Sequence, residues 1–125
     1  MTDAEALITR LFDAYNRRDF PAFAASLNDD VDWPDQMYGE RGVGVGVAAL
    51  RAYWVAQDQA IHVELTPIDF GLEADGRVGV EVNQVVRGLR GSLWSDIRLR
   101  QYYTLRDGRV SRMDVVRLEE PSLAP

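Results

Sequence analysis

Residues 92–119, SLWSDIRLRQYYTLRDGRVSRMDVVRLE, alternate in polarity with a period of two and break once, at Asp107-Gly108. Alternation sends successive side chains to opposite faces of a strand, and Asp-Gly supplies the positive backbone angles of a tight hairpin turn. The stretch is therefore predicted to be two long antiparallel strands. Leu93, Ser95, Ile97, Leu99, Gln101, Tyr103 and Leu105 form the face expected to meet a core, opposite Trp94, Asp96, Arg98, Arg100, Tyr102, Thr104 and Arg106. Gln101 and Tyr103 are polar exceptions on that apolar face. A buried amide or phenol needs a partner, either within the protein or on a ligand.

Working outward, RVGVEVNQVV (77–86) and VELTPIDFGLEA (63–74) repeat the same period and read as two further strands, joined at Asp75-Gly76, with Gly88 to Gly91 as a longer connection. Gln84 shares a face with Val78, Val80 and Val82 and is a third polar handle. His62 is out of phase with Val63 and Leu65 and is expected at the surface. Upstream the period becomes helical. Thr2 and Glu5 form a capping box ahead of Leu7, Ile8, Leu11, Phe12 and Tyr15, giving an amphipathic helix that ends near Asn16–Arg18. Asp19 caps a short second helix whose stripe is Phe23, Ala24 and Leu27 and whose end is expected at Asn28–Asp30. A third helix starts at about Val47 with Leu50, Tyr53, Trp54 and Ile61 as its buried face. Three helices, an early strand and an antiparallel meander make an α+β domain over residues 1–120, its curved sheet packing its concave face on the helices. PSLAP, 121–125, reads as a loose tail.

The early strand lies in DDVDWPDQM, residues 29–37, which holds four carboxylates within seven positions. Alternation puts Val31, Trp33, Asp35 and Met37 on one face and Asp30 and Asp32 on the other, in solvent. Asp35 is then the carboxylate held against apolar side chains, where desolvation raises its pKa and suits it to proton transfer. The competing reading has Pro34 breaking the alternation and Asp35 capping the loop toward Gly39 in water. The following YGERGVGVGV, 38–47, is too glycine-rich for regular structure and lacks the spacing of a phosphate-binding loop.

Composition removes several function classes. The 125 residues carry 20 acids against 14 bases, a net charge of −6, which opposes binding to nucleic acid or to anionic membrane surfaces. All 14 bases are arginine, so no lysine serves a Schiff base. There is no cysteine and a single histidine, which excludes thiolate chemistry and a multi-histidine metal site within one chain. No cofactor is called for. The N-terminus has neither a basic start nor a continuous apolar run, and no stretch is long enough to span a membrane, so a cytoplasmic location is expected. Arginines interleaved with Trp94 and Tyr102 on the outer strand face fit a subunit interface better than a nucleic-acid surface in so acidic a chain.

Several local patterns together resemble a known superfamily: AYNRRD at the first helix end, LNDDVDW, the glycine loop, ALRAYW, VELTP and YTLRDGRVSRMDVV. The chain is similar to SnoaL-like, NTF2-like domains over nearly its whole length. The resemblance implies a cone whose curved sheet and helices enclose an apolar pocket, often in a homodimer. Ketosteroid isomerases of this superfamily place a general-base aspartate just after the early strand, and that position falls on Asp35. Their two oxyanion donors fall on Leu11 and Gln101 here, with Tyr15 and Tyr103 as the nearby phenols that could substitute, and Trp54 at a pocket-lining aromatic position. The Asp-Arg-Asp set of epoxide hydrolases is not matched by Ile97, Leu99 and Gln101. Asp114 is a further acid, with Arg112 as its alternative partner.

The expected function is binding of a small apolar molecule, with cofactor-free proton transfer of isomerase or cyclase type. Asp35 would be the base, Gln101, Tyr103 or Tyr15 the donors to oxygen, and Trp33, Met37, Trp54, Gln84, Leu99 and Leu11 the lining. The alternatives are a binding module without chemistry and a dimerising domain.

Overall fold

A computed structural model describes residues 2–34 and 45–118. The elements run α1 (Asp3–Asn16), α2 (Phe20–Ala24), β1 (Leu27–Asp32), α3 (Val47–Asp58), β2 (Ile61–Leu72), β3 (Val78–Gly88), β4 (Leu93–Arg106) and β5 (Arg109–Arg117). The five strands form one curved, unclosed sheet in the order β1-β5-β4-β3-β2, antiparallel except where β1 runs parallel to β5. The helices pack on its concave face, as the strand pattern implies. No helix among the described residues is long and apolar enough to cross a membrane.

The first helix starts where its capping box requires. Glu5 donates its backbone N–H to Thr2 Oγ1 at 3.1 Å, and Thr2 donates its own to Glu5 Oε2 at 3.2 Å. At the other end, AYNRRD ties α1 to the edge strand. Asn16 Nδ2 donates to the Leu65 carbonyl at 2.7 Å and Asn16 Oδ1 accepts the Leu65 N–H at 3.0 Å, so a side-chain amide completes the β2 edge as a neighbouring strand would. Arg18, at φ +60°, turns the chain and donates to the carbonyls of Tyr15 and Val63. Asp19 then caps α2 by accepting the Ala22 N–H at 3.1 Å.

Three boundaries differ from the sequence pattern. The second helix ends at Ala24 rather than at Asn28–Asp30, because Leu27, which continues the helical stripe of Phe23, pairs instead with Val110 of β5. Sheet pairing outweighs the local helical preference there. Ile61 belongs to β2 opposite Gly88 and not to the buried face of α3, which stops at Asp58. Leu93 does not join the core: the β3–β4 register shifts between Val86 and Arg87, which pairs Leu93 with the exposed Arg87 and leaves it on the outer face, 56% exposed.

Two irregularities re-aim side chains. A bulge between Pro67 and Asp69 leaves Ile68 outside the ladder and brings Phe70 against the core. A second, between Thr104 and Leu105, sets two β5 residues against one step of β4, so Val110 and Met113 both point inward and Asp114 faces out beside Tyr102. Asp114 pairs with Arg112 at 3.0 Å on that outer face and takes no part in the interior. His62 is exposed, as its phase predicts, with Nδ1 at 3.4 Å from Arg18 Nη2.

Candidate functional site

The inward face of β3 and β4 is apolar apart from the half-buried Ser95 near its end and three buried side chains, Gln84, Gln101 and Tyr103. Tyr103 is held between Phe12, tilted against it, and Trp33, edge-on to it, each with ring centroids 6.3 Å away. Its hydroxyl donates to Gln101 Oε1, the carbonyl end of a side chain two residues back on the same strand face. Gln101 is 0% exposed, and its Nε2 has no hydrogen-bond partner. A hydrogen bond accepted at the amide oxygen polarises the group and strengthens the remaining N–H as a donor. The interior thus presents one activated, unpaired donor.

Beside this pair, α1, α2, α3 and the end of β1 enclose an aromatic crevice. Phe23 meets Trp33, Trp54 and Tyr15 at ring centroids of 5.5, 4.9 and 6.0 Å, and Tyr15 meets Trp54 at 5.0 Å. The void among them, also bordered by Leu50, Tyr53 and Gln57, measures about 10 Å³, room for one water at most. A polar chain runs along its rim. Tyr15 Oη donates to Gln57 Oε1 at 2.9 Å, and Gln57 Nε2 donates to Tyr53 Oη at 3.2 Å. Trp54 Nε1 donates to Asp58 Oδ2 at 2.9 Å, and Asp58 lies 3.4 Å from Arg18, whose guanidinium sits 4.8 Å from the Tyr15 ring centre.

Burial sets the protonation of both phenols. It pushes the Tyr15 pKa up to about 12, with the Arg18 charge opposing the shift and the Asp58 charge adding to it. Tyr103, more deeply buried, is raised well above the ordinary tyrosine value, first by desolvation and then by Tyr15. Both therefore stay protonated near neutrality, as donors and not as bases. The buried polar residues among those described are Ser26, Asn28, Gln84 and Gln101, none of them a carboxylate. Among the described residues no three His, Cys, Asp or Glu side chains converge as metal ligands.

The residues singled out from the sequence are distributed accordingly. Trp33, Trp54 and Tyr15 meet in the crevice, and Tyr103 backs onto Trp33. Gln101 joins Tyr103, while Leu99 and Gln84 lie further along the same sheet face, and Leu11 is part of the buried stripe of α1. Asp35 and Met37 fall outside the described residues. Gln57 was not expected: on α3 it lies one turn beyond Tyr53, and that i to i+4 spacing of phenol and amide beside Trp54 is the signal that could have pointed to it.

Comparison with known proteins agrees with this architecture. No curated protein matches the sequence. Among solved structures, TerC co-crystallized with polyporic acid superposes with a TM-score of 0.78 at 23% identity, over 93% of this chain and 92% of that one. An NTF2-like protein of unknown function from Burkholderia pseudomallei K96243 gives 0.78 at 21% identity, over 94% and 92%. A protein from Pseudomonas putida KT2440 designated a candidate polyketide cyclase gives 0.76 at 25% identity, over 93% and 91%. The sequence profile of the SnoaL-like domain matches residues 8–113. With that profile spanning most of its length and the curved sheet and helices in place, the chain belongs to the SnoaL-like domain family.

Proposed function

We propose that this protein is a cofactor-independent proton-transfer enzyme acting on a small apolar carbonyl compound, with isomerisation or ring closure as the outcome. The observation that carries this reading is the Gln101 amide, wholly buried, polarised by Tyr103 and left with an unpaired N–H. An unpaired buried donor costs roughly 1–3 kcal/mol, a cost offset when a substrate oxygen accepts from it. The similar chains designated candidate polyketide cyclases support a reaction of this type.

In this mechanism Asp35 takes a proton from the carbon next to the substrate carbonyl. The C–H electron pair becomes the C=C bond of an enolate, and the charge moves to oxygen, where Gln101 Nε2 donates. Where the substrate carries a C=C bond next to that carbon, the enolate extends into a dienolate, and the Asp35 carboxylic acid returns the proton to its far carbon, moving the double bond into conjugation and giving the isomer. Alternatively the enolate carbon attacks a second carbonyl of the same molecule, forming a C–C bond, and the resulting alkoxide takes the proton. Protonated Tyr103 acts through the Gln101 amide, and the crevice aromatics exclude water.

The test is deuterium wash-in from heavy water at the carbon next to the carbonyl of 2-tetralone, followed by NMR on wild type, Asp35→Asn and Gln101→Leu. The expected outcome is enzyme-dependent exchange that falls by about 100-fold or more in each variant, the usual scale for removing a general base or an oxyanion donor. Exchange that matches the enzyme-free rate, or is unchanged in Asp35→Asn, would leave binding without chemistry as the better reading.

A further inference from the structure

The inward positions of β3 are Val78, Val80, Val82, Gln84 and Val86: four valines and one glutamine, all buried. Gln84 is 2% exposed, its Oε1 has no partner, and none of the hydrogen bonds among the described residues uses its amide. An apolar side chain of the same volume would complete the valine row without that penalty, because replacing an unpaired buried polar group with an apolar one is neutral or stabilising. The fold has no use for this amide.

Register places it relative to the other unpaired group. Gln84 lies opposite Ile97 on β4, and Gln101 lies opposite Val80, with the buried Val82–Leu99 pair between them. Four strand residues at about 3.4 Å each put the two Cα positions about 14 Å apart along the sheet. A ligand that meets both amides therefore has its two polar atoms at opposite ends of an apolar frame that spans the Val82–Leu99 pair. One end offers a donor, Gln101 Nε2, and the other an acceptor, Gln84 Oε1, across an apolar floor. No charged side chain among the described residues is buried. An anionic ligand over this floor would lose its hydration with no buried cation among the described residues to replace it.

Resting on the interior site proposed above, we infer that Gln84 is a specificity-determining residue that selects neutral ring ketones bearing a hydroxyl at the end remote from the carbonyl. The ketone oxygen accepts from Gln101 Nε2, and the hydroxyl donates to Gln84 Oε1. The third unpaired buried atom, Asn28 Oδ1, belongs to β1 and lies outside this row.

The experiment compares binding of 6-hydroxy-2-tetralone and 2-tetralone, by calorimetry at a pH where the phenol is protonated, to the full chain and to Gln84→Met. The hydroxyl and carbonyl of the first probe sit at opposite ends of a bicyclic frame, and the second lacks only the hydroxyl. Wild type is expected to bind the hydroxy ketone at least about tenfold more tightly, the worth of one good hydrogen bond. Gln84→Met is expected to bind the two alike and, without ligand, to melt at or above the wild-type temperature. Gln84→Leu repeats the test with a second apolar side chain. Equal binding by wild type, a preference that survives both substitutions, or a marked loss of unliganded stability in both would overturn the inference. If 2-tetralone binds and exchanges deuterium while the hydroxyl makes no difference, the assignment of Gln84 alone falls. If neither ketone binds, the interior site itself falls with it.

Discussion

Removing the Tyr103 hydroxyl tests the central pair directly, because Tyr103→Phe keeps the ring between Phe12 and Trp33 and deletes one oxygen. Gln101 then has neither its acceptor nor its donor paired, at zero exposure. The expected cost is about 1–3 kcal/mol, the penalty for orphaning a buried polar group and not the smaller net value of the bond itself. Gln101→Met does the complementary damage by orphaning the Tyr103 hydroxyl, offset in part because the unpaired Nε2 disappears with it. The double variant has no side-chain polar atom left at positions 101 and 103 and fills them with side chains of similar volume. Its stability is expected to return close to wild type, so the two single costs fail to add by at least about 1 kcal/mol. Equilibrium urea melts of the four proteins provide the assay, with unchanged slopes confirming that only stability has moved. Each kcal/mol also shifts the thermal midpoint by roughly 2–8 °C in a domain of this size. Single costs that add within about 0.5 kcal/mol would mean the phenol and the amide do not depend on each other, and the argument for a polarised donor would fail. A stable double variant without deuterium exchange would separate the catalytic use of the pair from its structural one.

Tyr15 predicts an alkaline weakness. Its folded pKa of about 12 stands above the ordinary 10.0, so the stability linked to its neutral form is complete below pH 10 and is lost as pH rises through 12. Two pH units correspond to about 2–3 kcal/mol, and urea melts across that window should fall less steeply for Tyr15→Phe than for wild type; parallel curves would contradict the burial argument. Phe23 touches Tyr15, Phe20, Trp33 and Trp54 at once. Phe23→Ala should cost about 3–5 kcal/mol and shift the tryptophan fluorescence to the red; a loss below about 1 kcal/mol would mean the crevice closes without it.

The parts of the fold that could be read from the sequence are those where one local signal had no competitor. The Thr2–Glu5 box, the Asp19 cap and the two Asp-Gly turns each require a particular local geometry, and period two along β3 and β4 correctly sorted Gln84, Gln101 and Tyr103 inward. Sequence pattern failed where partners distant along the chain set the outcome. Leu27 satisfies the stripe of α2 as well as the register of β1, and only Val110 resolves the choice. The period of two does not hold through RVSRMDVVRL, because Ser111 sits at a bulge that reverses the phase between Val110 and Met113. Gln57 acquires its role only when Tyr15 arrives from α1, and that contact has no local signature.

The outer face of the sheet explains why function is to be sought on the inner one. Interleaved arginines and aromatics there invite a reading as a binding surface, yet the charges are already engaged with one another. Arg100 lies 3.8 Å from Glu73, and Arg100 and Arg77 approach the Tyr102 ring centre at 5.8 and 4.6 Å. Arg77 reaches Asp75 and Asp114, and Arg112 joins Asp114 to Asp32. Space for this row comes from glycine: a Cβ on Gly79 would stand 3.0 Å from Arg100 Nη2, and one on Gly71 3.3 Å. In solvent such pairs contribute little each, but a surface whose charges are locally matched has little net field for a polyanion to follow. Trp94, 61% exposed, lies beyond that row with its indole over Gly88, apart from the paired charges. On the inner face the balance is reversed. No charged side chain among the described residues is buried, and two amides are left with unpaired atoms, one of them, Gln84, where an apolar side chain of the same volume would have packed without that cost. Unpaired polar atoms in the part of the sheet where leaving them unpaired is expensive are the reason to look for a ligand there.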